Sequence, residues 1–114
     1  MPYLQITTNA ELDPSQELRF LAQACEVVAK ALGKDKRYVM VSLNKGQPML
    51  LAGHSDPLAF LELKSIGLPE AETASLSEAL CQLMNEGLAI RADRVYIEFT
   101  SVARHMWGWN AGTF

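Results

Sequence analysis

The chain has 114 residues, 49% hydrophobic and 20% charged, which suits one globular domain with a core and leaves no room for a separate cofactor domain. Its formal net charge of −3 argues against nucleic acid as a partner, because phosphate binding requires a clustered cationic surface. No apolar run approaches the roughly 20 residues that span a bilayer, and two distant cysteines do not form a disulfide framework.

The beginning of the chain predicts a strand followed by a long helix. Residues 3–8 alternate polar and apolar side chains, which is typical of a strand. Asp13, Pro14 and Gln16 match a helix N-terminus with a capping box, and Gly33 is a suitable helix end. The spacing of apolar residues predicts the buried helix face to be Leu18, Leu21, Ala22, Cys25, Val28, Ala29 and Leu32.

Two strands and a candidate third follow this helix. Residues 38–43 predict a strand with alternate apolar side chains on one face: Val39, Val41 and Leu43. Residues 49–52 are a candidate short strand. Pro57 precedes a longer strand over residues 58–65, which Gly67 ends.

The second half of the chain repeats this plan. A helix is expected to begin between Pro69 and Ser75, and a strand over residues 95–100 follows the turn 92–94. The inner face of the helix is predicted to be Leu76, Ala79, Leu80, Leu83, Met84 and Leu88. Shifting the chain by about 56 residues aligns apolar positions of the two halves, with Cys25 falling on Cys81.

These elements predict an α+β fold built from tandem β-α-β units within one domain spanning residues 1–114. The internal pseudo-repeat would divide at about 1–57 and 58–114, and the four strands would form one mixed sheet with both helices on one face. The other face needs cover, because its candidates Ile6, Met40 and Ile97 are apolar. A closed symmetric oligomer is the simplest solution.

Pro2 is the first candidate for chemistry. Removal of the initiator Met would give a rigid secondary amine fixed to the first strand. Burial and a nearby cation such as Lys34 would lower the pKa of that amine toward a useful general base. The alternatives are that Met-Pro is accidental and that Lys34 only complements the negative end of the helix dipole.

The order of several short motifs resembles the macrophage migration inhibitory factor family. The motifs are Met1-Pro2, Ala31-Leu32-Gly33-Lys34, Ser65-Ile66-Gly67, Asp93-Arg94-Val95-Tyr96-Ile97, Gly108-Trp109-Asn110 and Thr113-Phe114. The resemblance runs along the whole chain with one gap between Gly67 and Leu76. It implies a homotrimer of the tautomerase superfamily, which agrees with the repeat and the uncovered sheet face.

The resemblance also implies a site and a reaction. Pro2 would be the acid/base in a keto–enol tautomerase acting on an aromatic 2-keto acid such as phenylpyruvate, with dopachrome-type substrates as a further candidate and no cofactor. Lys34 and the backbone N–H of Ile66 would hold the substrate carboxylate. The aromatic lining would be Tyr38, Tyr96, Trp109 and Phe114, with Tyr96 from a neighbouring subunit.

This sequence departs from the family pattern at two implied pocket positions. Glu98 replaces an asparagine, so a carboxylate would favour the protonated amine of Pro2 if it points into the pocket. The alternatives are that Glu98 lies on a solvated strand face or pairs with Arg104. Trp107 replaces a small residue and predicts a bulkier pocket rim.

Other reactive side chains have simpler interpretations. His54 and His105 lack a third ligand, so we expect no metal site. The two cysteines are interpreted as inert core residues. Arg91, Arg94 and Arg104 are interpreted as solvated charges or subunit contacts.

Two functions other than an enzyme remain open. One is a cytokine-like signalling protein with vestigial tautomerase activity, although nothing in the sequence indicates a receptor. The other is a ferredoxin-like module that senses a small molecule. The first six residues carry no signal-peptide core, so we expect a cytoplasmic protein, with leaderless secretion as the alternative.

Overall fold

The computed structural model describes residues 1–114 and contains two long helices and one four-stranded sheet. The strands are β1 (Tyr3–Thr8), β2 (Met40–Asn44), β3 (Ala59–Ile66) and β4 (Val95–Val102), and the helices are α1 (Pro14–Leu32) and α2 (Thr73–Leu88). Gly108–Trp109 and Gly112–Thr113 form a small hairpin, β5 and β6, near the end of the chain. Neither helix has the length and apolar character needed to cross a bilayer.

The sheet has the strand order β2-β1-β3-β4 and is mixed. β1 runs parallel to β2 and antiparallel to β3, and β3 runs parallel to β4. Each β-α-β unit therefore contributes one parallel pair, and the two units meet at the antiparallel pair in the centre. The predicted fold class is confirmed, whereas the internal repeat stays a prediction.

Both helices pack on the same face of this sheet. One core joins Leu4 and Ile6 of β1, Leu61 of β3, Val28 of α1 and Leu80 of α2. Val39, Val41 and Leu43 pack against the same core, as predicted. The predicted inner face of α2 is confirmed at its centre, where Leu76, Leu80, Leu83 and Met84 are buried.

The opposite face of the sheet is open and more polar than the sequence indicated. Strand register and alternation place on it Tyr3, Gln5, Thr7, Met40, Ser42, Phe60, Glu62, Lys64, Tyr96, Glu98 and Thr100. The assignment of Ile6 and Ile97 to this face is wrong, since Ile6 is fully buried and Ile97 packs against the core on the helix side. Met40 does lie on the open face and is 65% exposed.

The core-facing side of α1 also differs from the prediction. Its buried residues are Phe20, Ala24, Val28 and Ala29, whereas Leu18 is 72% exposed. The ring of Phe20 lies directly on Gly87 of α2, where an added Cβ would come within 2.5 Å of it. Close approach of the two helices at a glycine therefore selects Phe20 for the core.

The ends of α1 follow the predicted capping chemistry. The Asp13 side chain accepts from the Gln16 backbone N–H at 2.9 Å, and the Gln16 side chain accepts from the Asp13 N–H at 3.0 Å. Hydrogen bonding of the ionised carboxylate by Gln16 and Ser15 lowers the pKa of Asp13. Gly33 ends the helix with φ +63°.

Two predicted strand boundaries are wrong. Residues Lys36–Tyr38 form a 3₁₀ turn, because the Asp35 side chain accepts from the Arg37 backbone N–H at 3.0 Å. Tyr38 therefore precedes β2 instead of opening it. Residues 49–52 form no strand, and only Leu51 takes part in an isolated bridge, with His54.

Candidate active site

Pro2 lies at the start of β1 and is fully buried. Its carbonyl oxygen accepts from the backbone N–H of Met40 at 3.0 Å, which fixes the N-terminal segment between β1 and β2. The fixed position predicted for Pro2 is thus present, because the hydrogen bonding of β1 extends to the residue before the strand.

Aromatic side chains surround a pocket of about 320 Å³ beside Pro2. The ring centroids of Trp109 and Phe114 are 5.0 Å apart and nearly parallel, with 14° between the rings. Tyr38 meets both rings edge-on, at 5.8 Å from Trp109 and 6.0 Å from Phe114. Trp107 completes this wall, so four of the predicted pocket residues lie together with Pro2.

The hairpin at the chain end holds this wall in place. The Phe114 backbone N–H donates to the Trp107 carbonyl at 3.2 Å, and β5 pairs with β6. Asn110 and Ala111 form the two-residue loop with positive φ of 49° and 62°, as a type I′ hairpin turn requires.

Lys34 lies next to Ile66 at the end of β3. The backbone N–H of Lys34 donates to the Ala29 carbonyl at 3.0 Å, beside the bond from Gly33 to Lys30, which is a Schellman cap. The Lys34 Nζ donates to the Ile66 carbonyl at a long 3.4 Å. The two residues expected to hold a carboxylate are therefore neighbours.

The electrostatics of the N-terminus favour a neutral amine. Burial lowers the pKa of the Met1 α-amine, and the positive charges of Lys34 and Arg104 lower it further. Removal of Met1 would transfer the amine to Pro2, one residue farther into the fold. A neutral amine next to a positively charged site that binds an anion can accept a proton from a bound carbon acid.

Tyr96 and Glu98 lie outside this pocket. Both are on the open face of β4, and Tyr96 is 63% exposed. Glu98 lies directly opposite Glu62 of β3 and makes no ion pair, including none with Arg104. Within one chain, β3 separates both residues from β1, so only a neighbouring subunit could bring them to Pro2.

The structure adds pocket residues that the sequence reasoning missed. Tyr3, Val39 and Met40 line the pocket, and the Arg37 guanidinium lies 5.1 Å from the centre of the Tyr38 ring. Arg37 could have been predicted at the pocket, because it precedes the predicted pocket residue Tyr38. Met40 lines the pocket because β1 pairs with β2, and no local sequence signal shows that pairing.

The histidines do not form part of a metal centre. No group of three His, Cys, Asp or Glu side chains is arranged to hold a metal ion. His54 lies in the loop before β3, and His105 lies in the 3₁₀ turn Arg104–Met106. Cys25 and Cys81 are free thiols and half-buried.

A second groove, of about 380 Å³, lies at the other end of β1. Its walls come from the start of α1 and the end of α2, and it carries charges of both signs, Glu11, Arg19 and Glu86. It contains neither the N-terminal amine nor the aromatic cluster, so the Pro2 pocket is the better candidate for chemistry.

These features define a class of protein: a small α+β domain with two β-α-β units and a buried proline at position 2 beside an aromatic pocket. The family model described as "Macrophage migration inhibitory factor (MIF)" matches residues 1–114. The chain belongs to the macrophage migration inhibitory factor family, which confirms the resemblance in its motifs.

Individual relatives match over nearly their full lengths. A macrophage migration inhibitory factor homolog of Brugia malayi is 41% identical over 116 residues, covering 100% of this chain and 99% of the relative. The rat macrophage migration inhibitory factor is 36% identical over 115 residues with the same coverage. The crystal structure of a homologue from Prochlorococcus marinus superposes with a TM-score of 0.91 at 36% identity, covering 98% of each chain.

Membership supports a general function. The family lies within the tautomerase superfamily, so an isomerase-type or cytokine-like function is supported for this chain. Proteins of the family are generally homo-oligomeric, in agreement with the open face of the sheet.

Proposed function

We propose that this protein is a keto–enol tautomerase for phenylpyruvate-type aromatic 2-keto acids, with the Pro2 amine as general acid/base. The observation that carries the proposal is the position of Pro2, buried at the start of β1 and in contact with the Trp107, Trp109, Phe114 and Tyr38 pocket. The aryl ring of the substrate fits against this apolar wall, and the carboxylate of the 2-keto acid would extend toward Lys34.

The reaction needs one group that moves one proton. The neutral Pro2 amine takes a proton from C3 of the keto acid, and the electron pair of the C–H bond moves through C2 to the carbonyl oxygen. The resulting ammonium then donates that proton to the enolate oxygen, which gives the enol and restores the neutral amine. The reverse sequence returns the keto form, and no redox partner is consumed.

The anion site would orient the substrate. Lys34 Nζ and the Ile66 backbone N–H would bind the carboxylate, which carries the same charge before and after proton removal from C3. The anion site would therefore contribute mainly to substrate binding. Met1 must be absent for this chemistry, since an acylated Pro2 nitrogen has no basic lone pair.

The complete pocket would require a homotrimer. Tyr96 and Glu98 occupy the open face of β4 and lie far from Pro2 in the same subunit. A neighbouring copy that covers this face could place them at the pocket rim. Light scattering at micromolar concentration should give a trimer, and a monomer would refute a pocket shared between subunits.

The enzymatic test is the initial rate of phenylpyruvate tautomerisation. Pro2→Gly should reduce kcat/KM by roughly 10²–10⁴-fold, with the lower end expected because a primary amine remains. Pro48→Gly, in an exposed loop, is the matched control and should retain the wild-type rate. Full activity of Pro2→Gly would exclude the proline ring of Pro2 as a requirement for the base. Absence of tautomerisation by the wild-type protein would instead leave the cytokine-like alternative, which needs no free amine.

A further inference from the structure

The ends of β3 and β4 bring a second cation to the neighbourhood of Lys34. Ile66, whose carbonyl accepts from Lys34, is the register partner of Val102, and the Gly67 N–H donates to the Val102 carbonyl at 3.2 Å. Two residues after Val102, Arg104 begins a 3₁₀ turn. Lys34 and Arg104 therefore come from opposite halves of the chain to the region of the same paired strand ends.

The turn that carries Arg104 also leads directly into the pocket. The Trp107 backbone N–H donates to the Arg104 carbonyl at 3.2 Å, and Trp107 then lines the pocket beside Pro2. This hydrogen bond fixes the Arg104 backbone relative to the pocket wall. The Arg104 backbone therefore lies between the paired ends of β3 and β4 and the aromatic wall of the pocket.

Arg104 is also free to bind an anion. It takes part in none of the four ion pairs of the protein, whereas Arg37 at the pocket rim pairs with Asp35 at 3.0 Å. The charged or titratable groups on the elements around the N-terminus are Tyr3, Lys34, Asp35, Arg37, Tyr38, Glu62, Lys64, Arg104 and His105. Asp35 and Glu62 are the carboxylates among them; Arg37 pairs with Asp35, and Arg104 pairs with neither.

We propose that Arg104 is a second cation of the substrate site, which binds the carboxylate together with Lys34 and selects anionic 2-oxo acids over their uncharged analogues. The inference rests on the proposed tautomerase site at Pro2 and assigns a specificity residue to it. A guanidinium suits this role because its planar donors match the two oxygens of a carboxylate. Its charge also lowers the pKa of the N-terminal amine.

The first test is binding of a non-reacting pair of probes, phenylacetate and its neutral analogue phenylacetamide. Arg104→Gln should weaken phenylacetate binding by roughly five- to tenfold, as expected for a partly solvated charge pair, and should leave phenylacetamide within about twofold. Arg104→Lys should retain most of the phenylacetate affinity. Arg91→Gln is the matched control, because Arg91 pairs with Asp93 on an exposed turn.

The second test is the pH profile of kcat/KM for phenylpyruvate. Removing a cation stabilises the protonated amine, so the acidic limb of Arg104→Gln should move to higher pH and that of Arg104→Lys should stay. A residue with only a structural role would lower the rate without moving the limb.

The outcomes separate the inference from the proposed function. Inactive wild-type protein that still binds phenylacetate through Arg104 would refute the tautomerase and support the anion site. Active protein whose Arg104→Gln variant binds both probes as the wild type does would refute the inference alone. Equal weakening of both probes would reassign Arg104 to a structural role and also overturn the inference.

Discussion

Arg94 offers a sharp test of how the chain is held together before β3. Its guanidinium donates to the carbonyls of Leu51 at 2.8 Å, His54 at 2.9 Å and Asp56 at 2.9 Å. The interpretation of Arg94 as a solvated charge or subunit contact is therefore incomplete, because it binds the loop that leads into β3. In Arg94→Ala the Asp56 carbonyl loses its partner, as does the Pro57 carbonyl, which accepts from Arg94 Nε at 3.5 Å. The Leu51 and His54 carbonyls keep their mutual backbone bonds.

These bonds set the expected loss in the free energy of unfolding. One hydrogen bond to a charged group contributes about 1.5–3 kcal/mol, and because Arg94 is only half-buried, water can replace some of the lost hydrogen bonds. We expect Arg94→Ala to lower the free energy of unfolding by about 2–3 kcal/mol, with Arg94→Lys about half as damaging because ammonium lacks the planar fork.

The assay is urea unfolding followed by tryptophan fluorescence and circular dichroism at one fixed protein concentration, because oligomerisation adds a concentration-dependent term. Arg91→Ala is the control on the same turn, since its pair with Asp93 is exposed and should contribute at most about 1 kcal/mol. If Arg94→Ala and Arg91→Ala lose equal stability, the argument from the loop carbonyls fails.

Three other predictions concern the helix ends and the pocket. In urea unfolding, Gly33→Ala should lower the free energy of unfolding by about 1 kcal/mol, and Ala89→Gly should raise it by roughly 0.5 kcal/mol. Both positions end a helix with positive φ, and an added Cβ at Gly33 meets nothing within 4 Å, so the change at Gly33 comes from the backbone conformation alone. Equal effects of the same sign would contradict this. Lys34→Ala should raise KM for phenylpyruvate about tenfold at nearly constant kcat, whereas an unchanged KM would leave Lys34 as a helix cap only. If a neighbouring subunit carries Glu98 into the pocket, Glu98→Asn should raise kcat/KM and move the acidic limb of its pH profile to lower pH, with one pH unit equivalent to about 1.4 kcal/mol; an unmoved limb at unchanged kcat/KM would separate Glu98 from the site.

Local signals account for the parts of the fold that the sequence predicts correctly. The Asp13 capping box and Gly33 determine the ends of α1 within a few residues, and strand alternation identifies β1 and β3. These features depend on contacts between residues close in sequence, so a single chain suffices to find them.

The predictions from sequence are wrong where contacts between distant parts of the chain determine the structure. Apolar residues of α1 occur around much of the helix circumference, so periodicity alone could not show that Phe20 is buried and Leu18 exposed. The burial of Phe20 depends on its contact with Gly87 in the other helix. The side of the sheet taken by Ile6 depends on strand register. Arg94 and Arg104 show the same limit, because the partners of Arg94 lie 38–43 residues away and the position of Arg104 depends on pairing between β3 and β4.

The candidate site divides in the same way. Pro2, Tyr38, Trp107 and Phe114 come together as the family resemblance implies, and the structure explains this by the hairpin that returns the chain end to β1. One chain is insufficient to assign Glu98, which would reach the pocket only in the proposed homotrimer.

The central claim is that a free secondary amine at Pro2 performs the proton transfer. It is tested most directly by comparing the natural N-terminus with a variant that has one Ala inserted between Met1 and Pro2, each checked by intact mass. The insertion keeps the proline ring and converts its nitrogen to an amide. The account predicts that the natural protein lacks Met1 and tautomerises phenylpyruvate, and that the folded insertion variant is at least 10²-fold slower. Equal activity of the two proteins, or full activity of natural protein that retains Met1, would contradict it.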